Sequence, residues 1–365
     1  MQLVIDFTDF LLVTSMIQLF YWLFFFSKLA IYKDISTPFR SNNGVSVVVC
    51  AKNDLNYIRN NMPKWLDQQG ISHELLIVDD FSGIETQHFI EKMKAIHGCL
   101  SYYKVKTNLP GKKQALQEGM SVSSYSDILL TDADCEPNSN YWAKNMSSVA
   151  YSHKADIVLG YSPYKIIKKN LLHKWIHFEG WLTGVLYLSF ALKGLPYMGV
   201  GRNLFYKKSI IPSSVFDDNN HVASGDDDLL INKLSNSKNT AICIHPDSFC
   251  TTMPKDTWKA YYAQKSRHYS TASFYKWHHK ILLGVFSISL VLFYFLLIIN
   301  MFTNPKMSLL IYLLRIVIMI PISFKLIKKL EGQFSLFELL IFDFLLFLYY
   351  LIFSFSVFIP NKKTW

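Results

Sequence analysis

The sequence predicts an α/β domain flanked by membrane-spanning helices. Between residues 43 and 277, short apolar runs alternate with amphipathic stretches, a pattern typical of a mainly parallel sheet covered by helices on both faces. Long apolar segments lie outside that region, and the mean hydropathy of +0.18 over 365 residues is high for a soluble enzyme. Acidic residues follow several predicted strands, at the edge where open α/β sheets bind their ligands.

The predicted elements of the α/β region follow from residue type and periodicity. Strands are predicted where Val, Ile, Leu and Tyr cluster, over 45–50, 74–78, 101–105, 127–130, 156–160 and 241–244. Helices are predicted between them, over 54–69, 85–97, 112–121, 139–153 and 227–234. Asp54 and Ser139 are suited to begin their helices as N-caps, and Gly70 is suited to end one.

Four apolar segments are long enough to be membrane spans, over 10–27, 281–303, 307–324 and 334–359. Acidic rather than basic residues precede the first segment, which indicates an uncleaved anchor and not a secretory signal. Lysines and arginines after the first and third segments favour a cytoplasmic location for the loops that carry them. We therefore expect a multi-pass protein of the cell (inner) membrane with its catalytic domain in the cytoplasm.

The predicted domains are an N-terminal transmembrane anchor (1–40), a cytosolic catalytic domain (41–254), an interfacial amphipathic helix (255–280) and C-terminal transmembrane helices (281–365). Basic and aromatic residues alternate in 255–280, as in helices that lie on an anionic lipid surface. We therefore assign the net charge of +10 to contact with membrane lipids and expect no nucleic acid partner. The apolar stretch 170–193 contains Lys174, His177 and Glu179, which favour a buried or interfacial helix over a fifth span.

Two carboxylates one residue apart, Asp132 and Asp134, directly follow the predicted strand 127–130. Hard divalent cations such as Mg²⁺ or Mn²⁺ are held by one or two carboxylates together with substrate phosphates. The pair therefore predicts a metal–diphosphate site, with a solvated acidic turn as the alternative. Asp54, Asp79 and Asp80 follow the first two strands at the same edge, where they could accept from a ribose hydroxyl or a base N–H. Helix capping is the alternative, above all for Asp54.

Two glycine-containing motifs suggest contacts with a substrate. Lys112 follows Gly111 at a predicted helix start, where charge and helix dipole can attract phosphate, although an ordinary first-turn lysine explains it equally well. The motif Gly199–Asn203 lacks the third glycine and the preceding parallel strand of a dinucleotide-binding loop. We expect its glycines to let the backbone approach a substrate.

Two further motifs suggest a general base and a phosphate clamp. Asp226 and Asp227 lie in a run of three carboxylates before an apolar helix; one or two of the three can serve as caps, but crowding raises their pKa, which suits a general base. Gln264, Arg267 and His268 share one face of the basic helix by their spacing. Arginine at that position could clamp a diphosphate, with a membrane-surface arginine as the alternative.

The order of these motifs resembles the family 2 glycosyltransferases, the membrane-bound group that includes cellulose, chitin and hyaluronan synthases. The resembling segments are VSVVVCAKND (45–54), LLIVDDFS (75–82), GKKQAL (111–116), TDADC (131–135), SGDDDLL (224–230) and QKSRHY (264–269). The resemblance implies a GT-A fold, a nucleotide-diphosphate-sugar donor, a divalent metal (Mg or Mn) and inversion at the anomeric carbon.

The resemblance also implies roles for the motif residues. Asp79 or Asp80 would contact the base and the ribose, and Asp132 and Asp134 match the DxD pair that binds the metal and the diphosphate. Asp226 or Asp227 matches the general base, and the spacing slightly favours Asp226. Gln264 and Arg267 match the first and fourth positions of QxxRW. The acceptor side is expected between Trp175 and Asn203, including Glu179, Trp181, Tyr197 and Arg202.

Two departures from the family pattern favour addition of one sugar to a lipid-linked or membrane-proximal acceptor over processive glycan polymerisation. His268 replaces the tryptophan of QxxRW, and only three C-terminal spans are predicted. A catalytically silent membrane subunit of a glycan assembly complex is an alternative. A transporter component is another, suggested by Arg315, Glu338 and Asp343 within apolar segments. Pairing of Arg315 with Asp343 or Glu338 is the interpretation that we favour for those charges.

Overall fold

The computed structural model describes residues 7–34, 43–106, 111–212, 225 and 227–354, which fall into two compact units. One is an α/β unit within residues 33–167 and 194–255, and the other is a helical unit within 1–32, 168–193 and 256–361. The predicted segment 41–254 is therefore interrupted, because residues 168–193 pack with the helical unit.

The described residues form the following elements. The α-helices are α1 (Thr8–Phe20), α2 (Ser27–Ile31), α3 (Leu55–Leu66), α4 (Ile84–Lys94), α5 (Lys112–Val122), α6 (Trp142–Ser152), α7 (Leu171–Leu192), α8 (Asp228–Leu234), α9 (Trp258–Thr271), α10 (Trp277–Thr303), α11 (Pro305–Lys329) and α12 (Leu336–Ser354). The strands are β1 (Val45–Ala51), β2 (His73–Asp79), β3 (Leu100–Lys104), β4 (Asp127–Asp132), β5 (Cys135–Pro137), β6 (Ile157–Gly160), β7 (Leu204–Lys207), β8 (Thr240–Cys243) and β9 (Cys250–Thr252).

The α/β unit is built on a seven-stranded sheet in the order β3-β2-β1-β4-β7-β6-β8. All six predicted strands are present, and β1, β2, β3 and β4 run parallel to one another. The strand β7 was not predicted; it lies antiparallel between β4 and β6. Strands β5 and β9, which form a separate two-stranded sheet, were also missed because three residues carry too little periodic signal.

The centre of the sheet is covered on both faces, which explains the composition of its strands. Every residue of β1 is buried, as expected for a parallel strand with helices above and below. Trp65 of α3 and Trp142 of α6 are fully buried in the same core as Val49 and Leu129. This packing fixes the carboxyl ends of β1, β2 and β4 as a rigid edge.

The helical unit contains four helices that are long and apolar enough to cross a membrane, spanning Thr8–Ile31, Trp277–Thr303, Pro305–Lys329 and Leu336–Ser354. They correspond to the four predicted spans. The first is continuous because a π-helical turn, Tyr21–Phe26, joins α1 to α2. Helix α7 is mostly buried and contacts this turn and α12, in agreement with the predicted buried or interfacial helix.

The charges within the apolar helices are paired. Arg315 of α11 makes two hydrogen bonds to the Asp343 carboxylate of α12, at 2.6 and 3.0 Å, and the Tyr294 hydroxyl of α10 donates to the same carboxylate. Glu338 instead pairs with Lys174 of α7, with 2.6 Å between the charged atoms. The predicted pairing of Arg315 is confirmed, and its partner is Asp343.

Candidate active site

The carboxyl ends of three parallel strands bring the predicted acidic residues to one edge of the sheet. Ala51 at the end of β1 stands opposite Asp79 at the end of β2. On the other side of β1, Cys50 stands opposite Asp132 at the end of β4. Asp54, Asp80 and Asp134 follow these strand ends directly. Their gathering at this edge follows from the parallel pairing of β1 with both neighbours.

The loops after β1 and β2 are joined to each other. The Asn53 amide N–H donates to Ser82 Oγ at 2.9 Å, and the Gly83 N–H donates to Asn53 Oδ1 at 2.8 Å. Asn53 and Phe81 both have φ of 59°, in the left-handed region that phenylalanine rarely occupies. Strained backbone of this kind persists where the surrounding contacts hold it, and it is concentrated at functional sites.

The structure distinguishes Asp79 from Asp80, which the sequence could not. Asp79 uses both oxygens internally, since Oδ1 accepts from the Ser82 N–H at 2.9 Å and Oδ2 accepts from the Tyr102 hydroxyl at 2.8 Å. Burial and this contact with Asp79 raise the pKa of Tyr102. Asp80 is completely buried and accepts from the Gly111 N–H at 3.2 Å, with Lys52 Nζ 3.4 Å from its other oxygen. Asp79 thus organises the loop, and Asp80 connects β2 to the start of α5.

Asp132, Asp134 and Cys135 form the group most suited to a metal ion among the described residues, with their ligand atoms within 4.8 Å of one another. Lys112 Nζ, from the first residue of α5, lies 2.8 Å from Asp132 Oδ1. The Cys135 thiol donates to Asp134 Oδ1 at 3.2 Å. Two carboxylates at a partly open edge are the donor set that a hard divalent cation prefers, so these residues fit Mg²⁺ or Mn²⁺.

Electrostatics support a cation at this edge. Burial, and then repulsion from Asp132, raise the pKa of Asp134 against the opposing effects of Cys135, Arg202 and Lys255. Burial also raises the pKa of Asp54, with a further contribution from Asp134 and Asp132. Negative charge is therefore in excess here, and a bound cation would relieve it.

Asp227 caps the start of α8 and also accepts a hydrogen bond from Gly201. Its Oδ1 accepts from the Asp228 N–H at 2.8 Å at the start of α8, and its Oδ2 accepts from the Gly201 N–H at 2.6 Å. A Cβ atom at Gly201 would lie 3.1 Å from Asp227 Oδ2, so the glycine admits this carboxylate, where we had expected it to admit a substrate. Asp226, the other predicted base, lies outside the described residues.

Arg202 and Asn203 are neighbours with opposite surroundings. Asn203 is fully buried; its Oδ1 accepts from the Trp142 indole at 2.9 Å, and its Nδ2 donates to the carbonyls of Tyr161 and Ser248 at 2.8 Å each. It therefore holds the core together, although the acceptor side was expected to include it. Arg202 is half-buried and stacks on Tyr164, with 4.6 Å from Cζ to the ring centroid.

The comparisons with known proteins agree with this geometry. Residues 46–212 match the family described as Glycosyl transferase family 2. This segment is a family 2 glycosyltransferase domain. Its α/β fold is of the GT-A type. The family 2 match contains Asp54, Asp79, Asp80, Lys112, Asp132 and Asp134, and it ends before Asp226 and Asp227.

The chain is also similar to several solved structures. The mannosyltransferase PcManGT from Pyrobaculum calidifontis, in complex with GDP-Man and Mn²⁺, aligns with a TM-score of 0.57 and 16% identity over 96% of each chain. S. aureus TarS with UDP-GlcNAc aligns at 0.41 and 14%, over 79% of this chain and 89% of that one. Glucosyl-3-phosphoglycerate synthase from Mycobacterium tuberculosis aligns at 0.40 and 13%, over 66% and 84%. No curated protein sequence matches the chain significantly.

The QxxRW-like residues belong to the helical unit, outside the family 2 match. Gln264, Arg267 and His268 lie on α9, one helical turn apart as predicted, and His268 is exposed. Gln264 Oε1 and Arg267 Nε are buried and have no hydrogen-bond partner among the described residues. Between them in sequence, Lys265 pairs with Glu179 of α7, with 2.5 Å between the charged atoms.

The remaining residues expected on the acceptor side are buried, each within its own unit. Glu179 and Trp181 lie within α7 in the helical unit, and Tyr197 lies in the α/β unit. Glu179 is fixed by Lys265, so it holds helices together in addition to any contact with a substrate. The sequence alone could not show whether these residues line a binding site or lie in a core, because hydrophobic periodicity is the same in both cases.

Sequence reasoning missed several residues that shape the site. Lys52 and Asn53 lie inside the VSVVVCAKND segment, so the motif itself could have pointed to them. Tyr102 and Tyr164 gave no signal, because a tyrosine near a strand usually belongs to the core. Their roles depend on pairing with Asp79 and Arg202, which only the folded chain reveals.

Proposed function

We propose that this protein is a metal-dependent, inverting glycosyltransferase that moves a sugar from a nucleotide-diphosphate-sugar donor to an acceptor hydroxyl. The observation that carries the proposal is the excess of negative charge at the edge formed by β1, β2 and β4. Burial, and then repulsion from Asp132, raise the pKa of Asp134 there, and Lys112 supplies a cation suited to phosphate. Membership of residues 46–212 in glycosyl transferase family 2 supports the same reaction class.

The residues at the edge divide the work of binding the donor. Asp132 and Asp134 would hold Mg²⁺ or Mn²⁺, which supplies a positive charge to the diphosphate when bound. Lys112, released from Asp132, would bind a phosphate oxygen. Asp80, rather than Asp79, would contact the nucleoside. Both oxygens of Asp79 accept hydrogen bonds from Ser82 and Tyr102, whereas Asp80 Oδ2 accepts none from the described residues. Asp54 would add a further carboxylate at the same edge of the sheet.

Asp226 is the residue we propose as general base. Asp227 is occupied on both oxygens by Gly201 and Asp228, which leaves it little capacity to accept a proton from a substrate. The acceptor oxygen attacks C1 of the sugar, its proton passes to Asp226, and the bond from C1 to the diphosphate oxygen breaks. Attack from the face opposite the leaving group inverts the anomeric centre.

Membrane helices suggest where the acceptor lies. Four helices suited to cross a bilayer accompany the family 2 domain in one chain, which favours a lipid-linked or membrane-proximal acceptor. We propose a location in the cell (inner) membrane with the catalytic domain on the cytoplasmic face, and a role in cell-surface glycan synthesis. Gln264 Oε1 and Arg267 Nε on α9 have no hydrogen-bond partner among the described residues. The first is suited to accept a hydrogen bond from a bound substrate, and the second to donate one.

A turnover assay tests the proposal directly. We would measure nucleoside diphosphate release by the full chain in lipid, across a panel of nucleotide sugars with Mg²⁺ or Mn²⁺ and added membrane lipid extract. We expect turnover of one donor that requires the metal and is lost in Asp132→Asn. The matched control is Asp156→Asn, which removes a carboxylate paired with Lys207 at the opposite edge of the same sheet.

A catalytically silent subunit of a glycan assembly complex is the second candidate, since a fold can persist after activity is lost. Calorimetry separates the two. A catalyst must bind its donor even without an acceptor, so failure of every nucleotide sugar to bind would favour the silent subunit. Binding without turnover would instead indicate that the acceptor is missing from the assay.

A further inference from the structure

Arg202 lies near the acidic edge, and the proposed function has not used its charge. The last paired residues of β4 and β7 are Leu130 and Leu204. Asp132 lies two residues after Leu130 and Arg202 two residues before Leu204, so both lie at the same end of this antiparallel pair. The Thr131 hydroxyl donates to the Arg202 carbonyl at 2.9 Å, which fixes the backbone at this point. The preceding residue, Gly201, is held by Asp227 at 2.6 Å. Arg202 therefore lies beside the metal-binding carboxylates and directly follows the glycine that Asp227 holds.

The Arg202 guanidinium has a fixed neighbour, but its hydrogen-bond donors are not used by the described residues. It stacks on the Tyr164 ring, and within the part of the chain that the structure describes it makes no hydrogen bond or ion pair. Burial alone would lower the pKa of Arg202, but Tyr164, Cys135, Asp132 and Asp134 together raise it. An arginine that served only the fold would be expected to use its five donors, as the amide of Asn203 uses its own.

Charge balance indicates what Arg202 binds. In the unliganded protein, the negative charges of Asp132 and Asp134 attract the guanidinium. A divalent cation on those carboxylates cancels that attraction and leaves a half-buried positive charge without a counterion. The bound ligand must therefore bring the anion, and arginine favours phosphate because its planar fork matches two phosphate oxygens.

We propose that Arg202 binds the diphosphate of the donor and stabilises it as the leaving group. This inference rests on the proposed function and adds a catalytic residue to it. As the bond from C1 to the diphosphate oxygen breaks and the acceptor oxygen bonds to C1, the electron pair of the broken bond stays on the diphosphate. The guanidinium donates hydrogen bonds to that growing charge, while the acceptor proton passes to the base.

Nucleotide binding by calorimetry, using the full chain in lipid with Mn²⁺, tests the assignment. The probes are UDP, GDP and ADP, each compared with its monophosphate. We expect Arg202→Met to weaken diphosphate binding about 10- to 100-fold. Monophosphate binding should weaken much less, because a nucleoside monophosphate lacks the terminal phosphate that Arg202 would contact. Arg202→Lys, which keeps the charge without the fork, should lie between Arg202→Met and the wild type.

Two further variants separate this role from a general effect of charge or folding. Lys207→Met removes a basic side chain from β7, the strand that follows Arg202, where Lys207 pairs with Asp156, and this variant should bind like the wild type. Tyr164→Leu removes the ring on which Arg202 stacks and should weaken diphosphate binding about 3- to 10-fold. Thermal unfolding of each variant identifies any that fails to fold.

The possible outcomes are distinct. Selective loss of diphosphate affinity in both Arg202 variants supports the assignment. Unchanged diphosphate binding in folded Arg202→Met, or equal loss of monophosphate and diphosphate, overturns it; a change confined to the acceptor KM would then place Arg202 on the acceptor. If the wild-type protein binds no nucleotide at all, the proposed function fails and this inference fails with it.

Discussion

The two units of this protein both bury charged side chains, but they balance the charges differently. In the helical unit, Arg315 and Asp343 neutralise each other through two hydrogen bonds, and Tyr294 also donates to the carboxylate. At the edge of the α/β sheet, Asp132 and Asp134 repel each other, and only Lys112 forms a close pair with either of them among the described residues.

The difference separates a structural group of charges from a binding site. A buried pair that is already neutral needs no ligand, and breaking it leaves one charge in an apolar surrounding. A cluster with an excess of one charge is stabilised by a ligand of the opposite charge. Such a cluster lowers the stability of the unliganded protein and favours ligand binding. Changing the charge balance should therefore affect stability most in the helical unit and ligand binding most at the sheet edge.

The largest effect is expected in the helical unit. Asp343→Leu leaves Arg315 buried without a counterion and should lower the free energy of unfolding by about 3–5 kcal/mol. Arg315→Leu combined with Asp343→Leu should recover most of that loss, because both charges are then removed. Unfolding measured in lipid or detergent gives the coupling between the two residues. Additive losses in the double variant would show that the two residues act independently.

The second effect concerns activity at the sheet edge. Asp134→Asn should lower turnover about 10²- to 10³-fold, the cost typical of losing one electrostatic contact to the transition state. The same substitution should leave the unliganded protein as stable as the wild type or more so, since it removes a carboxylate whose charge is disfavoured by burial and by Asp132. Activity and thermal unfolding without metal would be measured on the same preparation. A large loss of stability would mean that Asp134 has a structural role.

The third effect should have opposite signs for two ligands. Lys112→Met removes the ammonium that pairs with Asp132 at 2.8 Å. We expect Mn²⁺ alone to bind a few-fold more tightly, because the carboxylate no longer has a competing partner of roughly 0.2–1 kcal/mol. A nucleoside diphosphate with Mn²⁺ should bind about 10-fold more weakly, because a phosphate contact is lost. Equal changes for both ligands would indicate that Lys112 does not exchange between Asp132 and phosphate.

Much of the α/β fold could be predicted because parallel strands buried on both faces carry a strong compositional signal, as β1 illustrates. The same strand ends predicted which acidic residues would meet. The sequence could not reveal that β7 would insert antiparallel, that α7 would leave the domain, or that Asp79 would be occupied by Tyr102. These depend on pairing between distant residues, and a residue's own type and periodicity do not encode its distant partner.

The smallest predicted effect is the dependence of stability on pH. The pKa values of Asp54 and Asp134 are raised in the folded protein, chiefly by burial. Their contribution to stability is therefore fully present below the unfolded pKa of about 3.9 and is lost as pH rises through the folded values. Unfolding followed from roughly pH 4 to pH 7 in a chelator should show a decline that Asp134→Asn reduces. Added Mn²⁺ should also reduce it in the wild type but not in the variant, because a cation replaces the proton only where both carboxylates remain.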